Sequence, residues 1–272
     1  MQSNLDYSTD IEFIDAHKND SLIDVALALS KQRTFDKEFV LAQINGIQKA
    51  KSKIQEFHDT PNIIYPTKLS LEQCSSEKTG IYKSQLIKGK TLVDLTGGFG
   101  VDSFYFAKEY EQVTYIEQNT ELYKTVKHNF KLLKADNISL INSTAEGFIE
   151  NNTQKFDVVY IDPSRRNQNE RVFKLDECTP NIIELASDLF KFTNKILVKT
   201  APLLDIKQTL KDLNCVSTIW IISVNNDCKE VLYLLEKGFN YEPEINSINL
   251  SKINQEFSFN YSLENESGAE LS

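Results

Sequence analysis

Apolar residues recur at intervals of three and four from Asp20 to about Phe57. Leu22, Val25 and Leu29 form one run, and Phe39, Ala42 and Ile47 form a second that Asp36 can cap. That spacing predicts a small helical N-terminal unit. Asp59-Thr60-Pro61-Asn62 breaks it, so the boundary falls near residues 60–70, and a helix over Leu71–Leu86 leads into the first clear strand.

Short apolar runs then alternate with longer amphipathic ones. Strands are predicted at Thr91–Leu95, Gln112–Glu117, Ile138–Ile141, Phe156–Ile161, Lys195–Lys199, Ser217–Val224 and Glu230–Leu235. Helices are predicted from Val101, over Thr120–Leu133, Pro180–Phe190 and Leu204–Leu213. The pattern predicts an α/β fold, a Rossmann-like, doubly wound, mostly parallel sheet, preceded by the small helical N-terminal domain. No helix-length segment separates the last two strands, so they should pair antiparallel. The expected domains are 1–65, 66–237 and 238–272. From Glu236 onward the chain turns acidic, seven Glu against Lys237 and Lys252, and alternates at Ile248–Ser251 and Phe257–Tyr261, as the start of an incomplete β-containing unit.

Composition narrows the class. At 40% hydrophobic and 25% charged the chain is an ordinary globular protein, and no apolar run of eighteen residues is present. A polar, acidic start gives no leader-like segment, and the expected location is the cytoplasm. Cys74, Cys178, Cys215 and Cys228 are scattered without metal-ligand spacing, which predicts reduced thiols and no metal site. The net charge of −9 argues against broad nucleic-acid binding, yet residues 1–90 are balanced, 12 acidic to 12 basic. Between 31 and 53, Lys31, Arg33, Lys37, Lys49, Lys51 and Lys53 face only Asp36 and Glu38. That run reads as a phosphate-facing patch or as a solvated helix face.

Candidate chemistry begins at Val93-Asp94-Leu95-Thr96-Gly97-Gly98-Phe99-Gly100, where a strand ends and a helix opens. Ser103 stands where a dinucleotide fingerprint needs its third glycine, and Asp94 would repel a pyrophosphate. A cationic ligand fits better. S-adenosylmethionine carries an ammonium for Asp94, its methionine part fits the turn at Thr96, Gly97, Gly98 and Gly100, and Glu117 at the end of the second strand can accept both ribose hydroxyls. Thr144 stands after the third strand, where adenine is often contacted; Asn142–Ala145 also reads as a plain polar turn.

These residues resemble class I S-adenosylmethionine-dependent methyltransferases, and more narrowly the bacterial methyltransferases with a THUMP-like C-terminal domain. The resemblance runs through Leu71–Glu77, Tyr82-Lys83, Asp94–Asp102, Asp162-Pro163-Ser164-Arg165-Arg166 and Cys228-Lys229-Glu230. It implies an RNA-binding C-terminal domain that this chain begins and does not complete.

Asp162 to Arg166 follows the fourth strand and is the expected catalytic loop, with Asp162 also beside the cofactor. Ser164 and Arg165 replace the residues that close a base-stacking loop, which weakens base N-methylation, and Lys199-Thr200-Ala201-Pro202 offers no thiolate for carbon methylation. Lys83, Asp162, Lys199 and Glu230 are similar in order to the tetrad of RNA ribose 2′-O-methyltransferases. On that resemblance Lys199 would remove the hydroxyl proton or stabilise its loss, its pKa lowered by burial and Lys83, and Asp162 and Glu230 would orient it; acidic neighbours act in the opposite direction. Arg165 and Arg166 would bind substrate phosphate. The bland reading, solvated Lys and Glu and a helix-capping Arg, stays open. The expected function is methyl transfer to RNA at a ribose hydroxyl. The rivals are a small-molecule methyltransferase and a non-catalytic S-adenosylmethionine- or RNA-binding module.

Overall fold

A computed structural model of the chain describes residues 8–31, 35–165, 174–251 and 255–260. Helices α1 (Ser8–His17), α2 (Leu22–Ser30) and α3 (Lys37–Lys53) form the N-terminal unit. The side chains of Ser21 and Asp36 cap α2 and α3 by accepting from Asp24 N and Phe39 N. Ile14, Val25, Leu29, Val40 and Ile44 make this unit's own small core.

The helix expected over Leu71–Leu86 is two helices. After the short α4 (Gln55–Asp59), α5 (Lys68–Gln73) ends at an extended Cys74, and α6 (Glu77–Leu86) restarts from Ser76, whose hydroxyl accepts from Thr79 N. A new N-cap inside an apolar run outweighs its periodicity.

The sheet strands are β1 (Thr91–Asp94), β2 (Gln112–Glu117), β3 (Ile138–Asn142), β4 (Val158–Ile161), β7 (Lys195–Thr200), β8 (Val216–Val224), β9 (Asp227–Glu236), β10 (Glu244–Leu250) and β11 (Gln255–Asn260). β5 (Ser164–Arg165) and β6 (Cys178–Thr179) form a separate two-residue ribbon. Between strands lie α7 (Val101–Phe106), α8 (Thr120–Leu132), α9 (Ala145–Asn151), α10 (Ile182–Leu189) and α11 (Ile206–Asp212). The nine strands run in the order β11-β10-β8-β9-β7-β4-β1-β2-β3. β3, β2, β1, β4 and β7 are mutually parallel, and β9 lies antiparallel between β7 and β8. The expected antiparallel pair is therefore β8–β9, with β9 inserted into the sheet. The described part of 238–272 carries the same sheet onward, because β10 pairs parallel with β8 and β11 antiparallel with β10.

Both faces of the sheet are covered, and the strands show it by strict alternation. Leu92, Val158, Tyr160, Leu197 and Leu232 point to the face packed by α4, α5, α7 and α8; Val93, Val159, Ile161, Val198 and Val231 point to that packed by α9, α10 and α11. After β1 the chain turns toward β2 and β3; β4 then enters on the other side of β1. That reversal opens a crevice at the carboxyl ends of β1 and β4.

Candidate active-site cleft

A cleft of about 800 Å³ occupies this crevice. Its floor is the turn Thr96–Gly100. Gly97 N donates to Ile116 O at 2.8 Å, Gly100 N closes back on Gly97 O at 2.8 Å, and Gly100 stands at φ +80°, capping α7. A Cβ on Gly97 would lie 2.1 Å from the Tyr115 ring, so the turn sits directly on that side chain. Tyr115 Oη donates to Gly98 O at 2.7 Å, and Gly98 N donates to Glu117 Oε2 at 2.9 Å. Glu117 Oε1 accepts from Asn119 N at 2.6 Å. The carboxylate is thus aimed by two backbone donors and keeps lone pairs for a ligand.

Asp94 lines the cleft from the end of β1 and is 1% exposed. Its oxygens accept from Thr96 N at 3.0 Å and Ser103 Oγ at 2.5 Å. Burial pushes its carboxyl up to about 7, against the lowering by Ser103 and Thr96. Ser103, which breaks the dinucleotide pattern, is the donor that orients Asp94. Thr96 ties β1 to β4, its Oγ accepting from Asp162 N at 2.7 Å.

Thr144 does not line the cleft. It is an exposed N-cap whose hydroxyl accepts from Gly147 N at 3.0 Å, and the wall there is made by Ser143, Ala145 and Glu146. A threonine just before a helix satisfies that helix first.

The four residues Lys83, Asp162, Lys199 and Glu230 fall into two pairs. Asp162 and Lys199 line the cleft and form an ion pair. Lys83, with a fully buried side chain, lies behind the wall between Glu230 (3.0 Å) and Asp102 (3.1 Å), and it also donates to Ser75 Oγ at 3.1 Å. Asp102 Oδ2 accepts from Ser75 Oγ and Tyr160 Oη, each at 2.8 Å. Burial alone would lower the Lys199 pKa, but Asp162, Glu230 and Asp102 outweigh it and hold the ammonium well above the ordinary lysine range. The condition for a Lys199 base, a lowered pKa, is not met. Burial raises Glu230, while Lys83 and Lys199 bring Asp102 below the usual carboxylate range against its own burial.

Asp102 and Ser75 are functional candidates that motif reading passed over. Both stood in quoted motifs, and the local signals were an acid two residues past the last loop glycine and a serine at a helix break. Pro163, Ser164, Thr179 and Pro180 carry the cleft wall onto the β5–β6 ribbon. Arg165 is described by its backbone, paired with Cys178, and Arg166 lies outside the described residues. In the basic run, Lys49 pairs with Glu72, and Lys53 Nζ donates to the carbonyls of Leu71 and Glu72 at 2.8 Å. Those two cations hold α5, a wall of the cleft, in place, and Arg33 is outside the described residues.

Fold and cleft together define a class: a Rossmann-like α/β protein built on the methyltransferase plan. The particular kinship follows from comparison. The family model described as conserved hypothetical protein 95 matches residues 77–183. A crystal structure from Porphyromonas gingivalis W83, described as that of a candidate methyltransferase, superposes with a TM-score of 0.80 at 27% identity, over 97% of this chain and 67% of that one. A Mycoplasma mobile protein named as an RNA methyltransferase is 26% identical over 110 residues, 39% of this chain and 30% of that protein. An uncharacterised mimivirus protein is 32% identical over 92 residues, 33% of this chain and 36% of that one. The chain thus spans about a third of the length of the curated relatives it matches. Among the described residues no helix is long and apolar enough to cross a membrane.

Proposed function

We propose that the chain is an S-adenosylmethionine-dependent methyltransferase acting on RNA. The observation that carries the cofactor is the pair of oriented carboxylates, Asp94 and Glu117, on either side of a glycine turn that a single Cβ would disrupt. A cation and a diol suit them; a pyrophosphate does not. Asp94 would receive the ammonium, Glu117 the ribose hydroxyls, and Ser143, Ala145 and Glu146 the adenine side. The cofactor supplies an electrophilic methyl on a positively charged sulfur.

The residues of this chain then have to position the acceptor, and holding two reactants in line is worth roughly 7–11 kcal/mol. Asp162 and Lys199 face the cleft where the β4 and β7 loops meet, and they offer a hydrogen-bond acceptor beside a donor. RNA as acceptor is supported by the name of the Mycoplasma mobile relative and by the narrower resemblance to methyltransferases with a THUMP-like domain. The ribose 2′-hydroxyl rests on the resemblance of the four residues to the 2′-O-methyltransferase tetrad in order, flanking residues and approximate spacing. Their division into two pairs, with Lys199 kept protonated, lends that acceptor no support.

Transfer of labelled methyl from S-adenosylmethionine to total RNA of cells lacking the protein, with digestion to nucleosides, tests the reading. Label on any nucleoside supports it, and its chemical form identifies the acceptor atom. Tight cofactor binding without label on RNA would remove the RNA substrate and favour a small-molecule acceptor or a non-catalytic module.

A further inference from the structure

Lys83 and Glu230 are buried, ionisable and outside the cleft lining, so the proposed reaction does not use them directly. Their place around Lys199 gives them a task. The groups that act on Lys199 come from several elements: its ion-pair partner Asp162 beyond β4, and, through charge, Glu230 on β9 and Asp102 on α7, with Lys53 of α3 and Cys74 after α5 also within electrostatic reach. Lys83 on α6 pairs with Asp102 and Glu230, and Tyr160 and Ser75 donate to Asp102. Asp94 lies beyond, within reach of Asp102 and Asp162.

The charge count decides the state of Lys199. Asp102, Asp162 and Glu230 bring three carboxylates to two lysines. Burial favours the neutral form of Glu230, which leaves two carboxylates against two cations; removing the Lys199 proton would then leave Lys83 alone against Asp102 and the half-buried Asp162. Uncompensated buried charge is what such packing avoids.

We infer that Lys199 is a fixed ammonium that donates to an oxygen atom of the methyl acceptor, and that Asp102 and Glu230 are positioning residues which hold it in that state. The inference rests on the methyltransferase reading for the identity of the acceptor, and on packing alone for the state of Lys199. In the transfer the acceptor's lone pair forms the bond to the methyl carbon, and the carbon–sulfur pair stays on sulfur as a neutral thioether. The acceptor's proton passes to the Asp162 carboxylate at the cleft surface. Lys199 gains and loses nothing.

The test is a pH titration of the lysine Nζ resonances in the isotopically labelled full-length protein, with Lys199 assigned by its disappearance in Lys199→Arg. In the wild type the resonance stays at its ammonium position to about pH 11, above the ordinary lysine range. In Glu230→Gln or Asp102→Asn it titrates at lower pH. A wild-type Lys199 that loses its proton below about pH 9 overturns the inference, and so does identical titration in wild type and both variants. If neither variant folds, the wild-type curve alone decides.

Transfer to RNA supplies the functional arm. Lys199→Arg, which cannot act as a base, keeps activity within about tenfold of wild type, while Lys199→Met loses about a hundredfold or more. An arginine variant as inactive as the methionine one overturns the donor role. Should the wild type label no RNA at all, the proposed substrate falls, and the titration still decides whether Lys199 is a fixed cation.

Discussion

Replacing Gly97 by alanine tests the cofactor turn at its tightest point. The new methyl would stand 2.1 Å from Tyr115 Cε2, 2.4 Å from Cδ2 and 2.6 Å from Cζ, so about 1 Å or more of separation must be found. The ring cannot supply it freely. Tyr115 is fully buried, packs edge-on to Phe130 at 5.8 Å, and is tethered through its hydroxyl to Gly98 O. Overpacking costs about 1–3 kcal/mol and loss of the tether about 0.5–1.5 kcal/mol, so the folded state should lose roughly 2–4 kcal/mol. At roughly 2–4 °C per kcal/mol for a chain of this size, Tm falls by several degrees. If the turn moves instead of the ring, Gly98 N leaves Glu117, and a charge-assisted bond of about 1.5–3 kcal/mol is lost from the cofactor site, about 10- to 100-fold in Kd. Thermal unfolding and calorimetric titration with S-adenosylhomocysteine read the two outcomes. Adding Tyr115→Leu to Gly97→Ala removes the clashing ring, so the double variant should be less impaired than the sum of the singles. A Gly97→Ala protein that melts and binds as wild type would refute the placement of the turn on Tyr115.

Cofactor affinity should depend on pH through Asp94. Its carboxyl, pushed up to about 7 by burial, must shed a proton to meet an ammonium, so affinity weakens by about tenfold per unit as pH falls below that value and levels off above it; Asp94→Asn binds weakly at every pH. The same shift predicts that stability of the ligand-free protein declines as pH rises from about 4 toward 7. Over that window the unfolded carboxyl has lost its proton and the folded one keeps it, and unfolding curves of Asp94→Asn should show a smaller decline. Lys83→Met leaves Asp102 and Glu230 buried without their cation and should cost about 3–5 kcal/mol in denaturant unfolding; a cost under about 1 kcal/mol would argue against that pairing. Glu117→Gln keeps the shape of the side chain and removes the charge that Gly98 N and the ribose would share, so calorimetry should show cofactor binding weakened about 10-fold.

What the sequence made legible was whatever period and punctuation encode. Strands β1 to β4 and β7 to β9 and the glycine turn were readable because a doubly covered strand and a turn that admits no Cβ leave few residue choices, whereas the short α9 and the β5–β6 ribbon were not read. The break between α5 and α6 was hidden, since Leu71, Cys74 and Leu86 keep a helical rhythm that Ser76 interrupts through one hydroxyl. The joining of β10 to β8 was hidden as well, because Ile245, Ile248 and Leu250 look alike whether they open a new core or extend an old one. The state of Lys199 depends on residues 162, 230 and 102, which only packing brings together. Sequence order placed Lys83 and Glu230 in a set with Lys199 and Asp162, and it carried no information on which pair faces the cleft.

The N-terminal helices bear on the cofactor turn more directly than a domain boundary near residue 65 suggests. Phe99 lies within the turn, yet its side chain is buried against Phe57 of α4 at 5.5 Å and Tyr65 at 6.2 Å. Tyr65 is in turn fixed by Gln43 of α3, whose amide accepts from Tyr65 N at 2.8 Å and donates to Tyr65 O at 2.9 Å, and it lies so close to Gly46 that a Cβ there would fall 2.3 Å from it. The turn is therefore held between two supports: Tyr115 from the sheet and the Phe57–Tyr65 pair from the helical side. Because α5 also walls the cleft and is held by Lys49 and Lys53, the helices shape both the cofactor turn and the space beside Asp162 and Lys199. Lys49 and Lys53, two of the six cations that read as a phosphate-facing patch or a solvated helix face, are engaged in that packing. The carboxyl edge of the sheet supplies most of the lining, and the N-terminal helices act on the site from behind it, through α5 and through Phe99.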